Sequence, residues 1–427
     1  MTIDATMSAG DFAYEAAPSQ PVYSYFITDL RNNDIVGELD LVGVTYSTNL
    51  SGIGEFSGSM SINRDTLSFQ QIQGGDAGPN VQADRTFPTF NVREITTPGR
   101  FGIYVMRDGL PVWGGIIWKR QYNSKDGSGT MTLTGKTFES YFYHRFQRQT
   151  KYWADEDQLS IARWLVTSNA SAAALDIDVD TKTSPRRRER TMFGYEFKTT
   201  GEELEQLANL IDGFDWNVII GLDADQRPTR KLTFYYPEAG VSRDKTTLAF
   251  EYPGVIKSYT MTDDAENGGN YVWAIGAGEG SEMLFESESD YGQLSNGWPI
   301  LEVSRSHKSV LRPSTLSEHA RQALSRLNTP ITVFEVELRG DLDPLFGSYN
   351  LGDWAKFRFR DYYFWDYNDT YIPVDEDDPD GNKTFSYYEP VYERMARITG
   401  ISVSIDTSSG VESISLSLGG DELAGEE

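Results

Sequence analysis

With no cysteine and three histidines in the chain, the most pointed candidates for chemistry are clustered carboxylates. The densest run is Asp375-Glu376-Asp377-Asp378-Pro379-Asp380-Gly381-Asn382. Set on Gly381, it places Glu376, Asp378 and Asp380 at alternate positions, like the start of a calcium loop whose sharp turn needs glycine. The position where a bidentate carboxylate should close the shell holds Tyr387, and Pro379 stiffens the middle. The run therefore reads as an exposed acidic loop tip, with those three residues kept as a calcium candidate. The histidines His144, His307 and His319 fall in no HExxH spacing, so a zinc peptidase of that pattern is unsupported. His144 follows three aromatics and reads as packed structure. No G-x-S-x-G elbow, P-loop or dinucleotide fingerprint is present. The chain has 64 acids, so carboxylate pairs arise by abundance and are no sign of glycoside hydrolysis. Cysteine is absent, which removes thiolate metal sites, cysteine nucleophiles and disulfides. The expectation is a protein without catalytic residues, cofactor or metal.

Composition sets the frame. With 427 residues, 13% of them aromatic, and apolar residues in short alternating runs, the chain predicts several β-rich domains. The formal charge of −26 argues against gripping nucleic-acid phosphates, which takes clustered Lys and Arg. Arg186, Arg187, Arg188 and Arg190 form the one basic cluster and read as a solvated loop or a protein contact. No apolar run is long enough to span a membrane. The first residues lack the basic and apolar regions of a signal peptide, so folding in a cytoplasm is expected.

The elements are organised around Pro111 to Lys136, a long hairpin. Its return strand alternates, with Met131 and Leu133 on one face and threonines on the other. Its outgoing strand is apolar on both faces at Trp113, Ile116 and Ile117. That strand also carries Gly114-Gly115, which suggests a bulge or the close approach of another backbone. Trp113, Gly114 and Gly115 thus fit a small barrel or a subunit contact. Short strands run from 22 to 136, with Thr89 to Glu94 taken into that run. Helices are predicted over Asp155 to Ser168, from a capping box at Thr200 and Glu203, and from a second box at Thr315 and Glu318. A 359–392 extension carries Tyr363, Phe364, Trp365, Tyr387 and Tyr388. It reads as a contact surface, a sugar-stacking platform or a local mini-core.

The chain's final hairpin, Arg397 to Ser404 returning through Ile414, Leu416 and Leu418, repeats the pattern of Gly115 to Gly135. The predicted fold class is accordingly mainly β with a smaller α+β part: two tube-like β-barrels with an α+β domain between them. The boundaries are an arm (1–21), a first barrel (22–140), the α+β domain (141–250), a second barrel (251–420) with one helix (315–328), and a tail (421–427).

Val112-Trp113-Gly114-Gly115-Ile116-Ile117, then Leu133-Thr134-Gly135 and Tyr141-Phe142-Tyr143-His144-Arg145, resemble the baseplate hub, or tail-associated minor tail protein, of siphophages infecting actinobacteria. Leu351-Gly352-Asp353 and Arg397-Ile398-Thr399-Gly400 are similar to that family's C-terminal barrel. The resemblance runs from about residue 22 to 420. It implies a virion protein of the tail tip, assembled in the host cytoplasm as a homotrimer. Its implied partners are the distal tail protein or tail tube, other minor tail proteins, receptor-binding proteins or the tape measure. DNA would pass without specific binding, and no stable membrane insertion is implied. The alternatives are a hexameric distal tail protein, which shares the barrel, and a cell-wall glycan-binding or hydrolysing tail protein using the aromatic extension.

Overall fold

The computed structural model describes residues 21–62, 91–125, 128–210, 212–266, 268–278, 280–307, 310, 312–328, 331–364, 391–406 and 411–419. It is mainly β and divides into two compact units. Unit 1 comprises Met1–Lys245, Arg339–Asp353 and Gly400–Ile414; unit 2 comprises Thr246–Leu338, Trp354–Thr399 and Ser415–Glu427. The chain thus passes between the units at 245/246, 338/339, 353/354, 399/400 and 414/415.

The main sheet of unit 1 contains β1 (Tyr23–Asp29), β2 (Ile35–Leu39), β3 (Val42–Asn49), β4 (Glu55–Ile62), β5 (Phe101–Arg107), β6 (Leu110–Lys125) and β7 (Ser128–Thr137). Its strand order is β2-β1-β5-β6-β7-β4-β3, and Gly400–Ser404 pairs antiparallel with the outer edge of β3. The expected alternation holds in β7, where Gly129, Met131, Leu133, Gly135 and Thr137 are buried and their neighbours are not. β6 buries every residue from Trp113 to Ile117, as an apolar run on both faces requires, and opens to solvent beyond Arg120. Its register slips at Trp118 against β7 and at Val112 against β5, flanking the glycine pair. Val92–Ile95 forms a short helix, α1, where a strand was expected; Asn91 accepts from the Arg93 N–H and starts the turn.

The rest of unit 1 is α+β. Helices α2 (Gln158–Thr167) and α3 (Thr200–Ala208) accompany a ribbon of β8 (Lys151–Asp157) with β10 (Arg187–Met192). Beside them lies the sheet β11-β12-β9, made of Asp215–Leu222, Pro228–Tyr235 and Asp178–Val179. The α3 capping box falls one residue earlier than expected, on Thr199 and Glu202. Thr200 is unavailable because its hydroxyl donates to the Arg145 carbonyl. The helix ends at Ala208 with Asn209 as its C-cap, short of the expected Gly213, whose own constraint is close packing: a Cβ there would meet the Ala208 carbonyl oxygen at 1.7 Å. The basic cluster is strand β10, not a loop. Trp153, Leu159, Leu165, Leu204, Trp216 and Phe234 fill this part of the core.

Unit 2 contains β13 (Ala249–Tyr252), β14 (Ile256–Asp264), β15 (Tyr271–Ile275), β16 (Phe285–Ser289), β17 (Glu302–Ser306), β18 (Ile331–Leu338) and β19 (Trp354–Arg360). The strands β20 (Val391–Ile405) and β21 (Glu412–Gly419) enter both units along the chain. Its larger sheet runs β14-β18-β21-β20-β19-β13. The smaller sheet, β16-β15-β17, is accompanied by helix α4 (Tyr291–Ser295) and helix α5 (Pro313–Leu327), whose Leu316 and Ala320 bury against Ala274. α5 begins without the expected capping box: Pro313 occupies the first turn, and Arg312 caps it with backbone alone. Among the described residues the strand pairing traces an open path in each unit.

Candidate functional site

The hairpin places Trp113 inside unit 1. Its indole is fully buried, lies 5.1 Å from the Phe56 ring and donates Nε1–H to the Ser47 carbonyl at 2.8 Å. A Cβ on Gly114 would stand 2.9 Å from the Tyr104 ring, and one on Gly115 would stand 2.3 Å from the Lys136 carbonyl oxygen. The glycine pair is therefore required by a neighbouring ring and a neighbouring strand of the same unit.

Beside Trp113 lies a cavity of about 680 Å³, lined among others by Tyr46, Glu139, Val218, Tyr349 and Asp353. Glu139 accepts the Val218 N–H at 2.7 Å, and its complete burial pushes its carboxyl above the ordinary range. Asp353 commits both oxygens to backbone, taking Val241 N–H at 2.7 Å and Asn350 N–H at 2.8 Å. Glu139 thus ties its own turn to strand β11, and Asp353 holds the segments at Val241 and Asn350.

Sequence reasoning missed a buried residue that helps join the α+β part of unit 1 to its main sheet. Arg230, on β12, is 2% exposed. Its guanidinium donates to Tyr104 Oη (2.8 Å), to the carbonyls of Leu30 (2.9 Å) and Leu175 (2.6 Å), to Thr28 Oγ1 (3.3 Å) and to Asn33 Oδ1. It also lies 4.2 Å over the Phe138 ring. All five acceptors are neutral, so the charge is held by directed dipoles and a ring face, not by a carboxylate.

The basic cluster is spent within the unit. Arg187 meets Asp155 at 2.8 Å, Arg190 meets Glu203 at 2.6 Å, Arg186 meets Asp212 at 3.4 Å, and Arg188 donates to Gln158. One of these partners, Asp155, lies across the ribbon, and Glu203, Asp212 and Gln158 belong to the helices and turn beside it.

Histidine chemistry is equally constrained. His144 stacks on Trp118 at 4.5 Å. In unit 2, His319 meets His307 ring to ring at 4.3 Å, a partner its sequence position does not suggest. Burial first, and His319 second, hold His307 below the ordinary imidazole range. Among the described residues no three His, Asp, Glu or Cys side chains converge as a metal shell would require.

The start of the aromatic extension belongs to a cluster in unit 2. Phe364 stacks on Tyr392 at 4.5 Å and nears Phe359, which is fully buried. Tyr259 packs on Phe359 at 4.8 Å and donates its hydroxyl to Asp361 at 2.9 Å. Tyr363 is 70% exposed. Trp365, Tyr387 and Tyr388, with Glu376, Asp378 and Asp380, lie outside the described residues.

A second group of aromatics was not singled out from the sequence. Phe146, Phe193, Tyr195 and Phe197 are exposed on the α+β part of unit 1. Their signal is the alternation of aromatics at 193, 195 and 197 after a strand.

No family model matches the chain, and no curated protein matches it. Its fold is similar to that of a tail protein from Neisseria meningitidis MC58. That similarity has a TM-score of 0.54 at 12% identity and covers 93% of this chain and 97% of that one. The fold is also similar to that of a 43 kDa tail protein of prophage MuSo2 from Shewanella oneidensis. Here the TM-score is 0.54 at 10% identity, covering 94% of this chain and 99% of that one. Among the described residues no helix is long and apolar enough to cross a membrane.

Proposed function

We propose that the chain is a structural virion protein of a phage tail, acting at the tail tip as the hub between the tail tube and the receptor-binding parts. The observation that carries this reading is the agreement of fold with two tail proteins over nearly the whole length of both chains. A match in both directions points to the same overall building plan rather than to one borrowed domain.

In this reading three copies associate, and each gives two tube-like barrels to a pseudo-sixfold ring around the DNA path. The distal tail protein or tail tube would lie on one side, and other minor tail proteins, receptor-binding proteins or the tape measure on the other. The excess of acids, 64 against 38 Lys and Arg, suits a lumen that DNA crosses without sticking, because like charge removes the counterion-release attraction. Tyr363, with Trp365, Tyr387 and Tyr388, is the proposed contact with a neighbouring tail protein. The action is geometric and uses no catalytic residue.

Light scattering of the purified protein over a concentration series tests the reading. A trimer supports the hub, and a hexamer supports a distal tail protein. Release of soluble fragments from purified cell walls would overturn the non-enzymatic assignment.

A further inference from the structure

Phe146, Phe193, Tyr195 and Phe197 are 50%, 39%, 72% and 58% exposed. They form two ring pairs, three of their members within five residues of one another. The Phe146 and Phe197 rings meet edge to face at 6.4 Å, and those of Phe193 and Tyr195 lie 5.2 Å apart. The segment bearing the last three is held tightly to the chain below it. Gly194 donates its N–H to Thr150 Oγ1 at 3.0 Å, and a Cβ at Gly194 would come within 2.3 Å of the Arg148 carbonyl oxygen. Phe197 adopts a left-handed conformation, φ 50°, which costs a bulky residue energy. The fold therefore spends strain and hydration to present four aromatics outward. Exposed aromatics grouped in this way mark association surfaces.

The charges around the patch indicate what covers it. Lys198 is engaged by Glu196 at 2.9 Å. Arg148 and Lys151 are exposed and, among the described residues, have no carboxylate partner; Lys151 sits opposite Met192 in the β8–β10 ribbon, and Phe193 follows Met192 in the chain. A patch rimmed by free cations calls for an acidic partner, and a second copy of this chain carries a formal −26. Patch against identical patch would set Arg148 and Lys151 against their own images, which disfavours a twofold contact. Patch against a different, acidic face avoids that repulsion. Such head-to-tail contacts build rings where the rotation between copies closes and open filaments where it does not.

We infer that Phe146, Phe193, Tyr195 and Phe197 form one side of a heterologous contact whose other side is an acidic face of a second copy of this chain. The contact deepens the self-association proposed above and depends on it.

Sedimentation equilibrium of the full chain separates the two. It would compare wild type, the triple variant Phe146→Ser, Tyr195→Ser, Phe197→Ser, and the double variant Arg148→Glu, Lys151→Glu. The expected result is an assembling wild type, about 100-fold weaker association in the triple variant, as loss of aromatic anchors implies, and about 10-fold weaker association in the double variant. Both variants should melt as the wild type does; if the triple variant does not, the double variant, altered only at exposed unpaired side chains, decides. A triple variant that associates like wild type overturns the patch while self-association stands. A double variant that does so overturns the acidic second copy as occupant. A wild type that stays monomeric at every concentration overturns both proposals.

Discussion

Replacing Arg230 with lysine should weaken the attachment of the α+β part of unit 1 to its main sheet. The guanidinium serves five neutral acceptors carried by Tyr104, Leu30, Leu175, Thr28 and Asn33. An ammonium has three N–H groups and no fork, so at least two of those acceptors lose their donor. A buried polar group left unsatisfied costs about 1–3 kcal/mol, which puts Arg230→Lys at about 3 kcal/mol or more. The stacking on Phe138 at 4.2 Å is lost as well. At about 2–4 °C per kcal/mol for a unit of this size, the melting transition should fall by about 6–12 °C in differential scanning calorimetry. Arg230→Met separates the bonds from the charge: it also removes an ion that lacks a carboxylate partner and so recovers part of the desolvation cost. A lysine variant melting within about 2 °C of wild type, or a methionine variant more stable than wild type, would refute the argument that the directed bonds are what matters.

Three further changes probe other contacts. Glu412 is nearly buried and takes Arg107 Nε at 2.6 Å and the Tyr23 hydroxyl, so Glu412→Ala should cost about 2 kcal/mol by removing the acceptor of Arg107 Nε in a part-buried site and leaving that arginine, among carboxylates, only the longer contact to Asp108 at 3.6 Å; urea unfolding measures it. Gly115→Ala should cost about 2 kcal/mol or more, because the new methyl meets Lys136 backbone at 2.3 Å and the Trp113 indole at 2.4 Å; soluble yield and melting temperature report it. His307 sits below its ordinary value in the fold through burial and the nearby His319. Below the ordinary histidine value of about 6.5 the unfolded chain therefore binds the proton that the fold resists, and stability falls with pH from there down to the folded-state value. Melting of unit 2 at pH 7.5 and pH 5.5 should show that fall, and His307→Phe should flatten it.

The strands that alternate were legible because one face of each is buried: β7, β19 and the hairpin of β20 and β21 lie where the pattern puts them. The β8–β10 ribbon was not, because its arginines are held by Asp155 across the ribbon and by Glu203, Asp212 and Gln158 on other elements, and a run of charges has no apolar period to read. The α3 cap was misplaced by one residue because Thr199 and Thr200 are chemically equivalent until the Arg145 carbonyl claims one of them. Arg230 was invisible for a similar reason: its acceptors lie between 55 and 202 residues away along the chain, and Arg230-Lys231-Leu232-Thr233 looks like any amphipathic strand. The glycine pair of β6 was visible as an oddity, but its cause, the rings of Tyr104 and Phe138 and the Lys136 backbone, belongs to packing. The aromatics at 193, 195 and 197 alternate as a buried face would, and only the structure shows that face turned to solvent.

The interleaving of the two units also sets a clock. The outer edge of β3 is complete once residue 49 has been made, yet the segment that pairs with it begins at Gly400. At ribosomal speeds of about 5–20 residues per second, that edge waits about 20–70 s for its partner. An uncovered strand edge is a template for joining other chains, and every nascent chain carries this one through most of its synthesis. A chain released before residue 404 never covers the whole edge, so prematurely terminated copies should aggregate rather than accumulate as a soluble half.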